Sequence, residues 1–296
     1  MHMLKVVEKT KLWFGISLTL IAIGLIFFIL NKGLNTGVDF SGGTVVRIEL
    51  GEASKTADKA EIDNIINKYS TGTPSRTVNE TQIEIQSNQL DNEKATELFN
   101  EIKEKYSLDD TALVDVKHID ASIGKETTRN ALVALLVAAL FMLIYIRFRF
   151  KDLKFGLAAI IALIHDVLIT ISLYAVLRIS VNASFIAAIL TIVGYSINDT
   201  IVIFDRIREN SKKLRGKTVA EIADISINES MRRSINTSLT TLLTITAVYI
   251  FVPSVREFSL PIIAGVIAGT YSSIFIASPL WVIFKNISKK KKVATA

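Results

Sequence analysis

The chain has 296 residues, of which half are apolar, and its mean hydropathy is +0.42. It contains no cysteine, which excludes disulfides and cysteine-based metal sites. The net charge of +6 is unevenly spread, because residues 31–128 carry −7 and the remainder carries +13. This distribution argues against nucleic acid as a partner and predicts an acidic, water-exposed domain beside membrane spans flanked by basic residues.

Six stretches of the chain are apolar over the length of about 20 residues that a helix needs to cross a bilayer. The predicted transmembrane helices are 12–30, 130–147, 155–177, 183–205, 234–252 and 260–284. Two long connections separate them, a domain-sized insertion at 31–129 and a polar, helix-prone loop at 206–233. The first span reads as an uncleaved signal anchor, because no small-residue cleavage site follows it.

The distribution of basic residues predicts the orientation of these spans. With a cytoplasmic N-terminus, the inner segments hold 19 lysines and arginines, whereas the two short outer loops hold only Arg178 and Arg256. Residues 1–11, the loop 206–233 and the basic tail 285–296 are therefore expected in the cytoplasm. The insertion 31–129 is expected to be extracytoplasmic. Lysines 289–292 of the tail also favour contact with anionic membrane lipid.

A glycine-containing motif joins the first span to the insertion. Its residues are Asp39, Phe40, Ser41, Gly42 and Gly43. Paired glycines permit backbone angles that other residues resist, so the motif predicts a tight turn at the membrane surface. A specific role for the aspartate is an open alternative.

The insertion alternates strand-like and helix-like patterns. Expected strands are 44–50, 76–79, 81–87 and 112–119, and expected amphipathic helices are 57–69 and 91–106. The order βαββαβ is the pattern of ferredoxin-like folds. The fold class is thus an α-helical membrane protein with six transmembrane helices and one α+β ferredoxin-like domain. That domain has no catalytic constellation, which predicts a binding or gating role.

Span three contains an adjacent histidine and aspartate, His165 and Asp166, near its middle. Ionisable residues within a span are costly and therefore usually functional. Two interpretations are open for this pair, an element of an ion relay and a polar contact between packed helices. In span six, Gly265 and Gly269 allow close approach of another helix, which could belong to another subunit.

Span four carries the most informative polar residues, Asn198 and Asp199. An ionised carboxylate inside a membrane costs about 2.5–3.5 kcal/mol even on lenient scales, so it is kept for a cavity, a counter-charge or a proton. Tyr195 lies on the same helical face. The alternative for Asp199 is a structural polar bond between helices.

Span five presents a second polar face that begins with Arg233 and continues through Thr237, Thr240 and Thr241. Asp199 and Arg233 both lie in the cytoplasmic third of the membrane, where they could meet. If the arginine approaches only when the aspartate is ionised, proton occupancy becomes helix movement. Alternatively, Arg233 extends to the lipid headgroups and the threonines bond to their own helix carbonyls.

Together these motifs resemble the SecF branch of the SecD/SecF family of bacterial protein-export membrane subunits. The residues that carry the resemblance are Gly37 to Gly43, His165 to Val167, Val193 to Thr200, Phe204 to Glu209 and Arg232 to Leu242. It extends over essentially the whole chain, and the motif around Asp199 is the most specific part of it.

The resemblance implies half of a twelve-span assembly related to the resistance–nodulation–division (RND) transporters, with a SecD-like subunit as the other half. Further implied partners are the Sec translocon channel (SecYEG-type) and the translocating preprotein. Family members in the bacterial cytoplasmic membrane use the proton-motive force, or sodium ions, to draw exported proteins across. By motif, Asp199 and Arg233 match the ion-relay pair, with Asn198 adjacent.

The sequence alone leaves two other functions open. They are an RND-type exporter of small molecules or lipids and a passive scaffold that stabilises the Sec channel. Enzymatic activity is not expected, since no nucleotide-binding loop, hydrolase motif or metal motif occurs. No cofactor is expected other than the coupling ion.

Overall fold

The computed structural model describes residues 4–73, 75–78, 81–150 and 152–294. The helices are α1 (Thr10–Leu30), α2 (Val38–Ser41), α3 (Lys59–Tyr69), α4 (Asn92–Tyr106), α5 (Ala121–Arg149), α6 (Leu153–Leu177), α7 (Ala183–Lys213), α8 (Val219–Phe251), α9 (Arg256–Ser272) and α10 (Ser278–Ala294). The strands are β1 (Gly43–Glu49), β2 (Arg76–Thr77), β3 (Gln82–Ser87) and β4 (Leu113–Ile119). The fold is thus predominantly helical with a small sheet.

The chain divides into two compact units. The helical unit comprises Met1–Leu34, Leu135–Ile179 and Ser184–Ala296. The sheet unit comprises Asn35–Ala134 and Ser180–Ala183. Helices α5 and α7 each begin in the sheet unit and continue into the helical unit.

Six helical segments are long and apolar enough to cross a membrane, and each overlaps one predicted span. They are Val7–Leu30, Ala121–Arg149, Leu153–Leu177, Ala183–Lys213, Val219–Phe251 and Arg256–Ser288. Many large apolar side chains of α1 are exposed on the chain itself, among them Leu18 and Leu30. Such an apolar surface suits contact with lipid rather than water.

The stretch 206–233, expected as a connecting loop, is instead mostly the continuation of two long helices. Helix α7 extends to Lys213 and α8 begins at Val219, which leaves a short connection between them. The start of α8 is fixed by a capping box, in which Thr218 and Glu221 bond to each other's backbone amides. Buried isoleucines on both helices explain why this polar stretch folds against the protein.

An aromatic cluster forms the centre of the helical unit's core. Phe155 of α6 packs against Phe204 of α7 with ring centroids 4.9 Å apart, and against Trp281 of α10 at 5.0 Å. Phe150 adds a third ring contact to Phe155. These contacts hold the ends of α6, α7 and α10 together.

The last span is interrupted by a π-helical segment, Ser273–Ala277, which the sequence pattern did not indicate. Before it, α9 lies very close to α7 at two glycines. A β-carbon at Gly265 would lie 2.3 Å from Ile192, and one at Gly269 would lie 2.9 Å from Ser196. The close approach expected from these glycines therefore occurs within the chain, to α7.

The sheet unit contains an antiparallel sheet with the strand order β2-β3-β1-β4. Both amphipathic helices, α3 and α4, contribute buried apolar side chains to one core with the sheet. Their first turns are capped by Asp58, which accepts from Ala60 N, and by Asp91, which accepts from Lys94 N. The predicted strand 76–79 corresponds to β2, and its last residue lies outside the described residues.

The paired glycines require a backbone that only glycine adopts without strain. Gly42 ends α2 with φ +74°, and Gly43 begins β1 with φ +127°. A β-carbon on Gly42 would lie 2.7 Å from Ala121 Cα, and one on Gly43 would lie 2.4 Å from Ser87 O. Both conformation and close backbone packing therefore exclude larger residues.

Replacing Gly42 with alanine is expected to lower the free energy of unfolding of the sheet unit by about 2–5 kcal/mol. Of this, about 1–2 kcal/mol comes from the left-handed backbone and about 1–3 kcal/mol from overlap with Ala121. Amide hydrogen exchange of β1 measures the loss. The matched control is Gly72→Ala, because Gly72 has the same φ of +74° but nothing within 4 Å. Equal losses in both variants would contradict the packing argument.

Candidate functional site

Asp199 lies on α7 with only 5 % of its surface exposed. Among the described residues, its Oδ2 atom is buried without a hydrogen-bond partner, and so is the hydroxyl of Ser234 on α8. Ser234 and Arg233 contribute to the electrostatic environment of this carboxyl group. A buried ionised oxygen without a partner is unstable in an apolar environment. The hydrogen-bonding capacity of the Asp199 carboxyl group is therefore only partly used.

Arg233 is exposed, and among the residues that the structure describes it forms no ion pair, whether with Asp199 or with another acid. It lines a cavity of about 570 Å³ at the end of α7. Several other charged residues of this cavity are paired, for example Arg206 with Glu229 at 2.7 Å. Asp205 pairs with Arg149 and Arg208. Arg233 of α8, the predicted partner of Asp199, thus lines this cavity without an ion pair among the described residues.

The other polar residues of the predicted stripes bond to groups other than Asp199 or are exposed. On α8, the hydroxyls of Thr237, Thr240 and Thr241 donate to carbonyls of their own helix. Asn198 is exposed on α7. Tyr195 donates to Ser238 at 3.3 Å, and Ser238 is bonded to Thr270 of α9 at 2.5 Å. Tyr195 therefore belongs to a hydroxyl chain that connects α7, α8 and α9.

His165 and Asp166 form the centre of a second, fully bonded polar network. The ring Nδ1 of His165 lies 2.9 Å from Asp166 Oδ1, and its Nε2 lies 2.9 Å from Ser17 Oγ of α1. Ser196 of α7 and Ser272 of α9 donate to Asp166 Oδ2 at 2.5 and 2.8 Å. Asp166 is completely buried. One carboxylate thus connects four helices, and none of its oxygens is without a partner.

The serines of these two sites were not identified from the sequence. Ser17, Ser196, Ser234 and Ser272 are small hydroxyl residues within the predicted spans. A serine in such a span can bond to its own helix, so its presence alone does not indicate a partner. The available signal was the buried acid itself, since Asp166 requires donors from neighbouring helices.

In the sheet unit, the junction motif forms α2 and the turn that follows it. The amide of Phe40 and the hydroxyl of Ser41 both donate to Gly37 O, at 3.0 and 3.1 Å. Asp39 Oδ1 accepts from Lys117 Nζ of β4, and its Oδ2 accepts from Ala183 N, both at 3.1 Å. The motif is therefore a turn, as predicted, with an additional contact to the start of α7.

The fold and these polar sites define a multi-pass membrane protein that buries acidic side chains between its spans. The family model described as "Protein export membrane protein SecD/SecF, C-terminal" matches residues 99–287. The model for the SecD/SecF GG motif matches residues 27–53. The chain belongs to the SecD/SecF family, which confirms the resemblance seen in its motifs.

Curated relatives that align with this chain over nearly their full length are named protein translocase subunit SecF. That of Sebaldella termitidis is 37 % identical over 98 % of this chain and 94 % of its own length. That of Calditerrivibrio nitroreducens is 38 % identical over 95 % of this chain. The protein translocase subunit SecDF of Bacillus subtilis is 34 % identical, and this chain spans only 39 % of its length.

Two solved structures share the architecture. The crystal structure of SecDF from Thermus thermophilus, described as a translocon-associated membrane protein, matches with a TM-score of 0.86 and 35 % identity. It covers 96 % of this chain, which spans 39 % of that structure. SecDF in its super-membrane-facing form matches with a TM-score of 0.73 and 34 % identity, over 100 % of this chain and 40 % of that one.

Removing both serine donors to Asp166 is expected to destabilise the helical unit more than additively. Each of Ser196→Ala and Ser272→Ala should cost about 1.5–3 kcal/mol, typical of a hydrogen bond to a charged group. The double variant should cost more than the sum, because Asp166 Oδ2 then has no donor. Thermal unfolding of the purified chain in detergent measures these losses.

The control variant lies on α7, the helix that carries Ser196. Thr191 is exposed and donates to Ala187 O of its own helix at 2.9 Å. Thr191→Ala should therefore change stability by no more than about 0.5 kcal/mol. Strict additivity of the two serine variants would contradict a shared carboxylate.

Proposed function

We propose that this chain is a SecF-type subunit of the bacterial Sec protein-export machinery. With a SecD-like partner, it couples the flow of protons or sodium ions to the movement of preproteins across the cytoplasmic membrane. The observation that carries this proposal is the buried, incompletely bonded carboxyl group of Asp199 beside a helix that presents a free Arg233. The SecF names of full-length relatives support the export role.

The coupling step follows from the charge of Asp199. When the carboxyl group is protonated, it is neutral and is tolerated among apolar helices without a counter-charge. When the proton leaves, the carboxylate needs compensation, and the guanidinium of Arg233 remains charged under all physiological conditions. Approach of α8 to α7 then compensates the charge. Ion occupancy is in this way converted into relative movement of two helices.

Neighbouring polar residues support this relay. Asn198 lies beside Asp199 on α7 and provides an amide on the exposed face. The hydroxyls of Thr237, Thr240 and Thr241 can turn from their own helix carbonyls towards a passing ion. His165 and Asp166 bond α7 to α1, α6 and α9 through Ser196, three residues before Asp199.

A SecD-like subunit is proposed as the partner that completes the membrane assembly. This chain matches 39 % of the length of the SecDF proteins of Bacillus subtilis and Thermus thermophilus, and the name of these relatives supports a SecD-like partner. The polar faces with Asn198 and Thr237 are exposed on the chain alone, and polar faces in membranes require a protein or aqueous neighbour. The Sec channel (SecYEG-type), the preprotein and membrane lipid are the further proposed partners.

The sheet unit is proposed to be a ferredoxin-like domain on the extracytoplasmic side. The strand order β2-β3-β1-β4, with α3 after β1 and α4 after β3, supports this topology. The excess of basic residues in the opposite segments supports cytoplasmic termini in a bacterial inner membrane. The domain carries movement to the emerging preprotein, and the chain performs no covalent chemistry of its own.

Replacing Asp199 with asparagine is expected to abolish the stimulation of export by an ion gradient, by at least about tenfold. The amide keeps the size of the side chain but can neither release a proton nor carry charge. The measurement is translocation of a preprotein into vesicles that contain the chain with its SecD-type partner, with and without an imposed gradient.

The amount of chain in the vesicles must be equal for this comparison. Asp110→Asn is the control, because Asp110 is an exposed aspartate of the sheet unit paired with Lys103. It should leave the gradient dependence unchanged. If Asp199→Asn retains normal, gradient-dependent export, the chain acts as a passive scaffold and the relay is wrong.

A further inference from the structure

The first residue of α7 is held by a side chain from a distant part of the sequence. The amide of Ala183 donates to Asp39 Oδ2 at 3.1 Å, across 144 positions of the chain. Amides in the first turn of a helix have no partner within the helix. A carboxylate at that end also interacts favourably with the helix dipole. Asp39 thus serves α7 as a cap supplied by α2.

The second oxygen of the same carboxylate contacts the sheet. Asp39 Oδ1 accepts from Lys117 Nζ at 3.1 Å. Lys117 belongs to β4, the strand at the end of the sheet that neighbours β1. A single side chain therefore bridges the start of α7 and the outer strand of the sheet.

Backbone bonds fix the segment that leads into α7 to the segment that leads into α2. Val181 N donates to Asn35 O at 2.7 Å, and Gly37 N donates to Val181 O at 2.8 Å. These bonds form a parallel bridge between Thr36 and Val181. Gly37 is required here, since a β-carbon would lie 2.8 Å from Ser180 Oγ. The entrance to α7 is consequently part of the sheet unit.

The part of α7 that belongs to the helical unit carries Asp199, the residue proposed to bind the coupling ion. The helix runs without interruption from Ala183 to Lys213 and contains no proline. At a rise of 1.5 Å per residue, Asp199 lies about 24 Å along the axis from Ala183. Asp199 and the amide that bonds to Asp39 thus lie on one uninterrupted helix.

From this arrangement we infer that Asp39 is a positioning residue that transmits the movement of α7 to the sheet unit. It acts through Ala183 on one side and Lys117 on the other, and takes no part in ion binding. The inference rests on the proposed function, because the movement it transmits is the one produced at Asp199. It gives the aspartate of the glycine motif a role that the neighbouring glycines do not share.

The first test separates ion flow from export. Asp39→Ala in the reconstituted assembly is expected to leave gradient-driven ion flux unchanged but to lower export at least about fivefold, the lower end of coupling between two sites. Asp39→Asn retains an acceptor for Ala183 N and loses the pairing with Lys117, so export should fall less. Lys117→Gln removes only the ion pair and should match the asparagine variant.

A matched control removes another helix cap from the same unit. Asp58 caps α3 by accepting from Ala60 N at 3.0 Å, so its hydrogen bond serves a helix other than α7. Asp58→Ala should therefore retain export. Loss of ion flux together with export in Asp39→Ala, or equal loss of export in Asp58→Ala, would show a merely structural role and overturn the inference.

The second test observes the transmission itself by hydrogen exchange. Asp199→Asn replaces the carboxyl group with a permanently neutral amide and should change deuterium uptake both at 180–186 and in β4. In the Asp39→Ala background, the same change at Asp199 should alter α7 and leave β4 unaffected. A persistent response of β4 without Asp39 would overturn the inference.

The two proposals fail in different ways. If Asp199→Asn retains gradient-dependent export, the proposed function is wrong and the inference falls with it. If Asp199→Asn stops export while Asp39→Ala does not, the proposed function stands and the role of Asp39 alone is rejected.

Discussion

A carboxyl group buried among apolar helices must be protonated, paired or fully hydrogen-bonded, and this constraint organises the helical unit. It is met in two different ways by two aspartates. Asp166 receives donors from Ser196 and Ser272 and pairs with His165, so all of its oxygens are satisfied. Asp199 keeps one oxygen without a partner. The first arrangement suits a fixed contact between helices, and the second suits a group whose charge changes.

The difference between Asp166 and Asp199 gives α7 two kinds of contact with its neighbours. One turn before Asp199, Ser196 ties the helix to Asp166, and Gly269 of α9 allows the close packing that this requires. On the other side, Arg233 of α8 lies at a cavity and is not engaged by any acid that the structure describes. The helical unit therefore combines one fully bonded buried acid with a second acid whose proposed counter-charge has no ion pair among the described residues. Family membership places this combination in a setting where relatives of nearly full length are named as translocase subunits.

Within the sheet unit, the residues that lead into α7 are bonded to the glycine motif by backbone and by Asp39. The positive φ angles of Gly42 and Gly43 allow β1 to start directly after α2, which keeps Asp39 close to β4. Conformational freedom at two glycines thus allows the neighbouring aspartate to contact both β4 and the first residue of α7.

The sequence by itself determined the six apolar spans, the amphipathic α3 and α4, the turn at Gly42 and Gly43, and the two intramembrane aspartates. These features depend on composition and on local periodicity, which the chain displays directly. It did not determine that 206–233 is largely helical, that Ser17 and Ser272 satisfy one acid while Ser234 leaves the other incomplete, or that Asp39 caps α7. Those facts depend on contacts between residues far apart in the chain, and only the tertiary structure decides which donor meets which acceptor.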